Sequence, residues 1–164
     1  MFDRILVPTD GSETSELAVP YAVELAERFE ATLFPMYIVD TDALSHALGA
    51  EQVDRLDAGQ FGEMGELHER AATAIERARE QIGESSIDVD PVIEAGVPHT
   101  EISAFAETND IDLIVMSSQG RGGVKRALLG SVTDRVTRNT TVPVLVVDAT
   151  DDSQERPQQE PEPA

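Results

Sequence analysis

The sequence predicts an α/β fold with a parallel sheet of five strands and helices on both faces of the sheet. Short apolar segments alternate five times with longer segments in which apolar residues recur at three- and four-residue spacing. Residues 111–116 are the clearest strand, because they are almost continuously apolar and branched, as strands covered on both faces are. At 164 residues, the chain has room for one domain with a substantial core.

The predicted strands are short and rich in branched apolar residues. They cover residues 4–9, 31–39, 87–95, 111–116 and 142–147. Pro8 lies near the carboxyl end of the first strand, where a lost backbone donor matters least. Pro91 indicates that the third strand lies at an exposed edge of the sheet.

The predicted helices each carry an apolar stripe. They run from the turn at residues 10–12 to about Phe29, and over residues 63–82, 99–108 and 131–139. Pro20 lies inside the first of them, so that this helix either begins later than Thr14 or bends at the proline. Residues 40–62 are a polar insertion to which we assign no element.

The domain is expected to cover residues 1–148. Residues 149–164 are mostly Gln, Glu, Pro, Asp and Ser without periodicity, which predicts a disordered acidic tail. The start of the chain reads as a strand instead of a signal peptide, and no apolar run reaches the length of a membrane span. The sequence has no cysteine, which excludes disulfides and thiolate metal sites. These features favour a cytoplasmic protein.

The chain is strongly acidic, with 32 acidic against 12 basic residues and a formal net charge of -20. Residues 148–164 carry six acids and one arginine, so the rest still has a net charge of -15. Such a surface repels nucleic acid and anionic membranes, and we expect neither as a partner. Because this degree of self-repulsion is found in halophiles, we expect an organism with high internal salt; an ordinary acidic protein is the alternative.

The segment after the fourth strand predicts a phosphate site. Three glycines within residues 120–123 can take positive φ and turn their N–H groups toward one point. Residues 121–126 contribute three cations, among them Lys125, the only lysine. A helix then begins near Gly130 and Ser131, where free N–H groups and the dipole favour an anion. The alternatives are a mobile surface loop and a solvated basic face.

Asp10 follows the first strand and precedes a glycine turn. Its carboxylate could accept from ribose hydroxyls or help to hold a divalent cation. Alternatively, it caps the first helix through an Asx-turn, with Glu13 completing a capping box. Ser131 has a similar alternative, because Ser131 and Asp134 have capping-box spacing. The two roles of Ser131 are compatible, since a capped helix still offers other N–H groups.

Several common motifs do not fit. The position of the third glycine in a dinucleotide fingerprint is Lys125, and there is no Walker-type loop. Neither Ser12 nor Ser131 stands in a nucleophile elbow. The three histidines lack ligand spacing, so no metal site is predicted from them.

From about residue 2 to residue 147, the chain resembles the universal stress protein family. The segments that carry the resemblance are Ile-Leu-Val-Pro-Thr-Asp-Gly-Ser (5–12), Gly-Val-Pro-His (96–99), Ile-Asp-Leu-Ile-Val-Met (111–116) and Leu-Leu-Gly-Ser-Val-Thr (128–133). The resemblance implies a doubly wound, open, Rossmann-like sheet of five parallel strands. It also implies a homodimer, often formed through the last strand, here residues 142–147.

The ATP-binding branch of that family carries the motif G-x-x-G-x(9)-G-[ST]. Gly120 and Gly130, with nine residues between them, and the following Ser131 match it. The first glycine does not match, because its position is Ser117, and Gln119 stands where many members have histidine. In ATP-binding relatives the first glycine lies against the ribose, so Ser117 is expected to weaken or adjust binding without abolishing it.

The resemblance also implies which residues would contact a nucleotide. Adenine would lie near Pro8, Thr9 and the backbone of Ile38, ribose near Asp10 and Ser117, and the phosphates near Gly120, Gly130, Ser131 and Val132, with Met116, Gln119 and Thr133 completing the site.

Three functions remain open from the sequence. The first is a stress-response sensor or regulator that binds ATP or a related adenine nucleotide, with Mg²⁺ or Mn²⁺ as a possible companion. The second is a dimeric scaffold that binds no nucleotide and offers its acidic surface to partners, and Ser117 favours it. The third is a hydrolase. For the first function, hydrolysis is expected to be slow if it occurs, because no general base can be named beyond Asp10.

Overall fold

The computed structural model of the protein describes residues 1–45, 49, 51, 54, 65–119 and 129–148. The strands are β1 (Arg4–Thr9), β2 (Thr32–Asp40), β3 (Val92–Gly96), β4 (Leu113–Ser117) and β5 (Val144–Val147). The helices are α1 (Glu13–Glu16), α2 (Val19–Phe29), α3 (Thr41–Ser45), α4 (Gly65–Ile82), α5 (Pro98–Thr108) and α6 (Ser131–Asn139).

The strands form one parallel sheet in the order β3-β2-β1-β4-β5. The chain moves outward from β1 to β3, returns to the other side of β1, and then moves outward again to β5. This is the doubly wound α/β architecture that the sequence predicts. The strand order reverses between β1 and β4, and ligands in such sheets bind beyond the carboxyl ends of the strands at that point.

Apolar clusters of the described residues cover both faces of the sheet. Successive side chains of a strand point to opposite faces, so Ile5 and Val7 of β1 join one cluster and Leu6 joins the other. α2 covers the first face together with α4, and α5 and α6 cover the second. The continuous burial of β1, β2 and β4 explains why their sequences lack polar alternation.

The N-terminal helix is interrupted. α1 ends at Glu16 and α2 begins at Val19, so that Pro20 lies in the first turn of α2, where its missing N–H has no intrahelical partner to lose. The first alternative from the sequence is therefore confirmed: the main helix begins later than Thr14. The short α1 before it was not predicted.

The other predicted elements are present: β1 and α6 have the predicted ends, and β2, β3, β4, β5 and α5 are shifted at one end or both. β3 begins only at Val92, and Val89 makes a single isolated bridge to Leu33. Pro91 precedes this strand, which lies at the edge of the sheet as predicted. The insertion begins with α3, and most of its remaining residues lie outside the described part, as do Glu63, Met64 and the predicted tail at 149–164. None of the described helices combines the length and apolar character that a membrane span needs.

Candidate functional site

A cavity of about 460 Å³ opens at the carboxyl edge of the sheet, beside the point where β1 and β4 diverge. Eleven of the twelve predicted site residues line it, namely Pro8, Thr9, Asp10, Ile38, Met116, Ser117, Gln119, Gly130, Ser131, Val132 and Thr133. The twelfth, Gly120, lies outside the described residues, as do the cations at 121–126. The structure thus brings together residues that are up to 125 positions apart in the chain.

The first wall of the cavity is the turn between β1 and α1. Asp10 Oδ1 accepts a hydrogen bond from the Ser12 N–H at 2.9 Å, which is the Asx-turn that the sequence allows. Gly11 has φ +77°, a left-handed conformation that favours glycine. The carboxyl group of Asp10 is therefore held at the cavity by its own backbone turn.

Asp10 does not cap the first helix, and the capping box with Glu13 is wrong. The N-cap is Ser12, whose Oγ accepts from the Ser15 N–H at 3.1 Å. The reason is geometric, because the Asx-turn places Ser12 in an extended conformation directly before the helix, and Glu13 becomes the first helical residue. The alternative reading of Asp10 is therefore only half right: it makes the turn without capping the helix.

Two buried hydroxyl groups hold this turn to the end of β1. The hydroxyls of Thr9 and Ser15 are 3.0 Å apart, and Thr9 Oγ1 also accepts from the Gly11 N–H at 3.1 Å. Ser15 Oγ donates to the Ser12 carbonyl at 2.9 Å. Ser15 also lines the cavity, and the sequence analysis missed it. The feature of the sequence that could have indicated Ser15 is its position three residues after the N-cap.

The opposite wall joins the end of β4 to the start of α6. Thr133 Oγ1 donates to the Ser117 carbonyl at 2.8 Å, and the Gly130 N–H donates to the Ser118 carbonyl. Ser117 is buried, and its Oγ accepts from the Gln119 N–H at 3.4 Å. These bonds fix the beginning of α6 over the sheet edge.

The proposed capping box of Ser131 is also wrong. Gly130 is the N-cap of α6, and Ser131 is its first helical residue, with an exposed side chain. The N–H groups in the first turn of a helix have no acceptors within the helix, and they carry its positive dipole end. The start of α6 therefore presents backbone donors at the cavity, next to Gly130, which has no side chain.

The remaining lining is mostly apolar and comes from elements on the other side of the opening. Leu44 of α3, Leu67 of α4 and Ile102 of α5 contribute to it, together with Tyr37 and Val39 at the end of β2. Leu67 and Ile102 lie in helices for which the sequence predicts only an apolar stripe, and residue 44 falls in the insertion that has no assigned element. An apolar compartment beside a set of backbone donors can hold a ligand with a flat apolar part and an anionic part.

Charges on the described lining are few and of both signs. They are Asp10, Asp40 and Arg70, whose guanidinium contacts Glu66 at 2.8 Å across the surface of α4. Among the described residues, no cluster of His, Asp and Glu is arranged to hold a metal ion.

Behind the turn lies a carboxyl group with a perturbed pKa. Burial raises the pKa of Glu16, and the guanidinium of Arg77 opposes this. Glu16 Oε2 accepts from Gln81 Nε2 at 3.0 Å, whereas Oε1 is buried without a partner. Glu16 does not line the large cavity.

Comparison with known proteins gives one consistent result. The model of the universal stress protein family matches residues 1–148. Universal stress protein MJ0531 of Methanocaldococcus jannaschii is 36% identical over 148 residues, covering 90% of this chain and 82% of that protein. Universal stress protein YxiE of Bacillus subtilis is 30% identical and covers 90% of this chain and 99% of that protein.

Solved structures agree with the fold described above. The structure of MJ0577 superposes with a TM-score of 0.72 at 29% identity, covering 90% of this chain and 96% of that one. UspA from Lactobacillus plantarum gives 0.72 at 28% identity, covering 89% and 97%. A universal stress protein in complex with cAMP has a TM-score of 0.62 at 23% identity and covers 91% and 98%, which shows a shared fold.

Proposed function

Because the chain belongs to the universal stress protein family, we propose that it binds ATP or a related adenine nucleotide in the cavity at the sheet edge and acts as a stress-response sensor or regulator. The observation that carries the proposal is the joint placement of Asp10, Ser117 and the start of α6 around one cavity. Its volume of about 460 Å³ lies within the usual range for small-molecule sites.

The lining suits the parts of a nucleotide in different ways. The base would lie against the apolar side, near Pro8, Thr9 and Ile38. Ribose hydroxyls would donate to Asp10, and the phosphates would lie beside Gly130 and accept from the N–H groups of Ser131 and Val132 at the start of α6. In this proposal Gly120 and the cations at 121–126 also meet the phosphates. A divalent ion, Mg²⁺ or Mn²⁺, would be held mainly by phosphate oxygens.

The shared fold adds support, since a relative of this architecture was solved in complex with cAMP, itself an adenine nucleotide. Binding without rapid turnover is expected, because the sequence names no general base beyond Asp10 and the described lining adds only the carboxylate of Asp40. A cytoplasmic location and a domain spanning residues 1–148, followed by an acidic tail, belong to the same proposal.

We also propose a homodimer formed through β5. This strand is at the edge of the sheet, and Leu145 is 38% exposed on it. An uncovered apolar edge strand invites pairing with another strand, and a second copy of the chain would provide one. The chain's self-repulsion opposes such pairing in dilute buffer, so dimerisation should be stronger at high salt.

Titration calorimetry tests the nucleotide proposal. ATP and Mg²⁺ are titrated in molar KCl into wild type and into Gly130→Asp, which places a carboxylate where the phosphates are proposed. Gly65→Asp, the same change at a helix start with open space around its Cβ, is the matched control. Heat in wild type and control but not in Gly130→Asp supports the proposal.

The second candidate function is the dimeric scaffold, which Ser117 favours because its side chain stands where nucleotide-binding relatives have glycine. No heat in any variant, with folded protein by circular dichroism, would favour the scaffold. Equal heat in wild type and Gly130→Asp would show that a nucleotide binds elsewhere.

A further inference from the structure

One face of α4 contacts the turn that carries Asp10. A Cβ atom on Gly11 would lie 3.5 Å from the Cβ of Ala74. One turn further along the helix, Arg77 Nη1 donates to the Gly11 carbonyl at 3.1 Å. Gln81 then donates to Glu16 in α1. The spacing of these three residues of α4 is that of a single helix face.

The packing between the turn and α4 is incomplete. A second cavity of about 300 Å³ separates part of the turn from α4, and its lining includes Asp10, Gly11, Arg70 and Arg77. Arg77 is exposed, and its guanidinium spans this space to reach the Gly11 carbonyl. The hydrogen bond from Arg77 is a direct connection between α4 and the Gly11 carbonyl, so it restrains the backbone of the turn.

Arg77 also balances the charge around the turn. The ionisable groups that act on Glu16 are Arg77 and the carboxyl groups of Asp10, Glu13 and Glu80, so the cation faces an otherwise acidic cluster. Removing the guanidinium would leave these carboxylates, including that of Asp10, to repel one another. The loss of the hydrogen bond to Gly11 and the loss of this positive charge would both act on the orientation of the Asp10 carboxylate.

We propose that Arg77 is a positioning residue that holds the Asp10 carboxylate in the orientation that accepts ribose hydroxyls. This inference rests on the proposed function, because it names a further residue for the same site. Arg77 contacts the turn from behind and does not line the larger cavity. Its effect should therefore depend on the ribose hydroxyls of the ligand and be independent of the phosphates.

The test compares ATP with 2′,3′-dideoxy-ATP in molar KCl. Arg77→Met keeps most of the aliphatic stem and removes the donor, and molar salt screens any long-range attraction to the phosphates. For ATP we expect about three- to tenfold weaker binding, the usual effect of losing one hydrogen bond. For the dideoxy nucleotide we expect no change.

Two further variants make the outcome specific. Arg77→Lys keeps a donor and should recover at least half of the lost affinity on a logarithmic scale. Arg79→Met removes an arginine from another face of the same helix, where its partner is Glu76 at 3.5 Å, and should bind both nucleotides like wild type. Unchanged ATP binding in Arg77→Met overturns the inference, and so does an equal loss for both nucleotides.

A measurement without ligand separates this inference from the proposed function. The Ser12 N–H donates to Asp10 Oδ1, so its hydrogen-exchange protection reports whether the turn keeps its shape. We expect Ser12 to exchange about threefold to tenfold faster in Arg77→Met and unchanged in Arg79→Met. Wild type that binds no nucleotide overturns the proposed function. Unchanged Ser12 exchange in Arg77→Met overturns the positioning role whether or not ATP binds.

Discussion

The hydroxyl of Thr133 donates a hydrogen bond of 2.8 Å to the carbonyl oxygen of Ser117, and both residues are buried. This bond joins the first turn of α6 to the last residue of β4, so it connects the backbone donors of the helix to the sheet edge. The Thr133 side chain therefore fixes the position of the proposed phosphate site relative to the proposed ribose site. From the sequence, Thr133 is expected only to complete the site.

Thr133→Val should lower the free energy of unfolding by about 1–2 kcal/mol, because it keeps the shape of the side chain and leaves a buried carbonyl without its donor. ATP binding should weaken as well, since the start of α6 is no longer fixed over the cavity. Urea unfolding and calorimetry measure the two effects. Thr133→Ser keeps the hydroxyl and is the matched control; equal stability of the Val variant and wild type would contradict the prediction.

The strand positions follow from the sequence because burial on both faces leaves continuous apolar runs, and β1 has the predicted ends. The helix caps cannot be predicted from the sequence in the same way. Asp10 and Ser131 both have capping-box spacing, but the caps are Ser12 and Gly130. The Asx-turn of Asp10 moves the first cap two residues later, and the second cap lies one residue before Ser131; capping-type residues alone reveal neither shift.

The part of the site at the strand ends can be predicted from the sequence, because parallel strands bring their carboxyl ends to one edge of the sheet. The apolar side of the site cannot, because Leu44, Leu67 and Ile102 belong to three different helices. A stripe of apolar residues looks the same whether it packs on a core or lines a cavity. The contact of Arg77 with Gly11 joins residues 66 positions apart, and no local pattern indicates it.

If a nucleotide binds as proposed, Ser117→Gly should tighten ATP binding by about two- to fivefold, because it removes a side chain from the position where the motif of the ATP-binding branch is expected to have glycine. This effect is smaller than the tenfold change that corresponds to about 1.4 kcal/mol. The same change should lower stability by about 0.5–1 kcal/mol, since glycine loses more conformational freedom in a strand. Calorimetry and urea unfolding distinguish the two effects. Ser117→Ala keeps the Cβ and removes the hydroxyl, and weaker binding in both variants would show that the hydroxyl itself binds the ligand.

Glu16→Gln should raise the free energy of unfolding at pH 7, and the gain should shrink toward pH 4.5. Burial raises the pKa of Glu16 above its ordinary value of 4.5, so the folded state binds this proton more tightly than the unfolded chain does. Above the folded pKa the buried carboxylate therefore destabilises the fold, and this penalty disappears as the pH falls through that pKa.

Urea unfolding at several pH values measures the effect of Glu16→Gln. Glu13→Gln is the control, because it removes the same charge from an exposed position of the same helix. The two variants share the general relief of acidic repulsion, so only the difference between them reports on burial. A difference that is constant from pH 7 to 4.5 would contradict the prediction.

The stability of the whole chain should rise steeply with salt. A formal net charge of -20 on 164 residues destabilises the compact state through self-repulsion. The screening length falls from about 30 Å at 0.01 M salt to about 3 Å at 1 M, so molar KCl should suppress most of the repulsion between surface carboxylates. The urea midpoint should accordingly increase from 0.01 to 1 M KCl and change little above that, if screening is the only cause.

A continued increase of the urea midpoint between 1 and 3 M KCl would indicate an effect beyond screening. That effect is either the stronger burial of apolar surface or the binding of hydrated cations by surface carboxylates. Sucrose, which strengthens effective burial without screening charge, separates these contributions. The high-salt origin that the composition predicts requires the first increase in any case. Equal midpoints in dilute buffer and in molar KCl would reject it, and the acidic composition would then have no role in the stability of the fold.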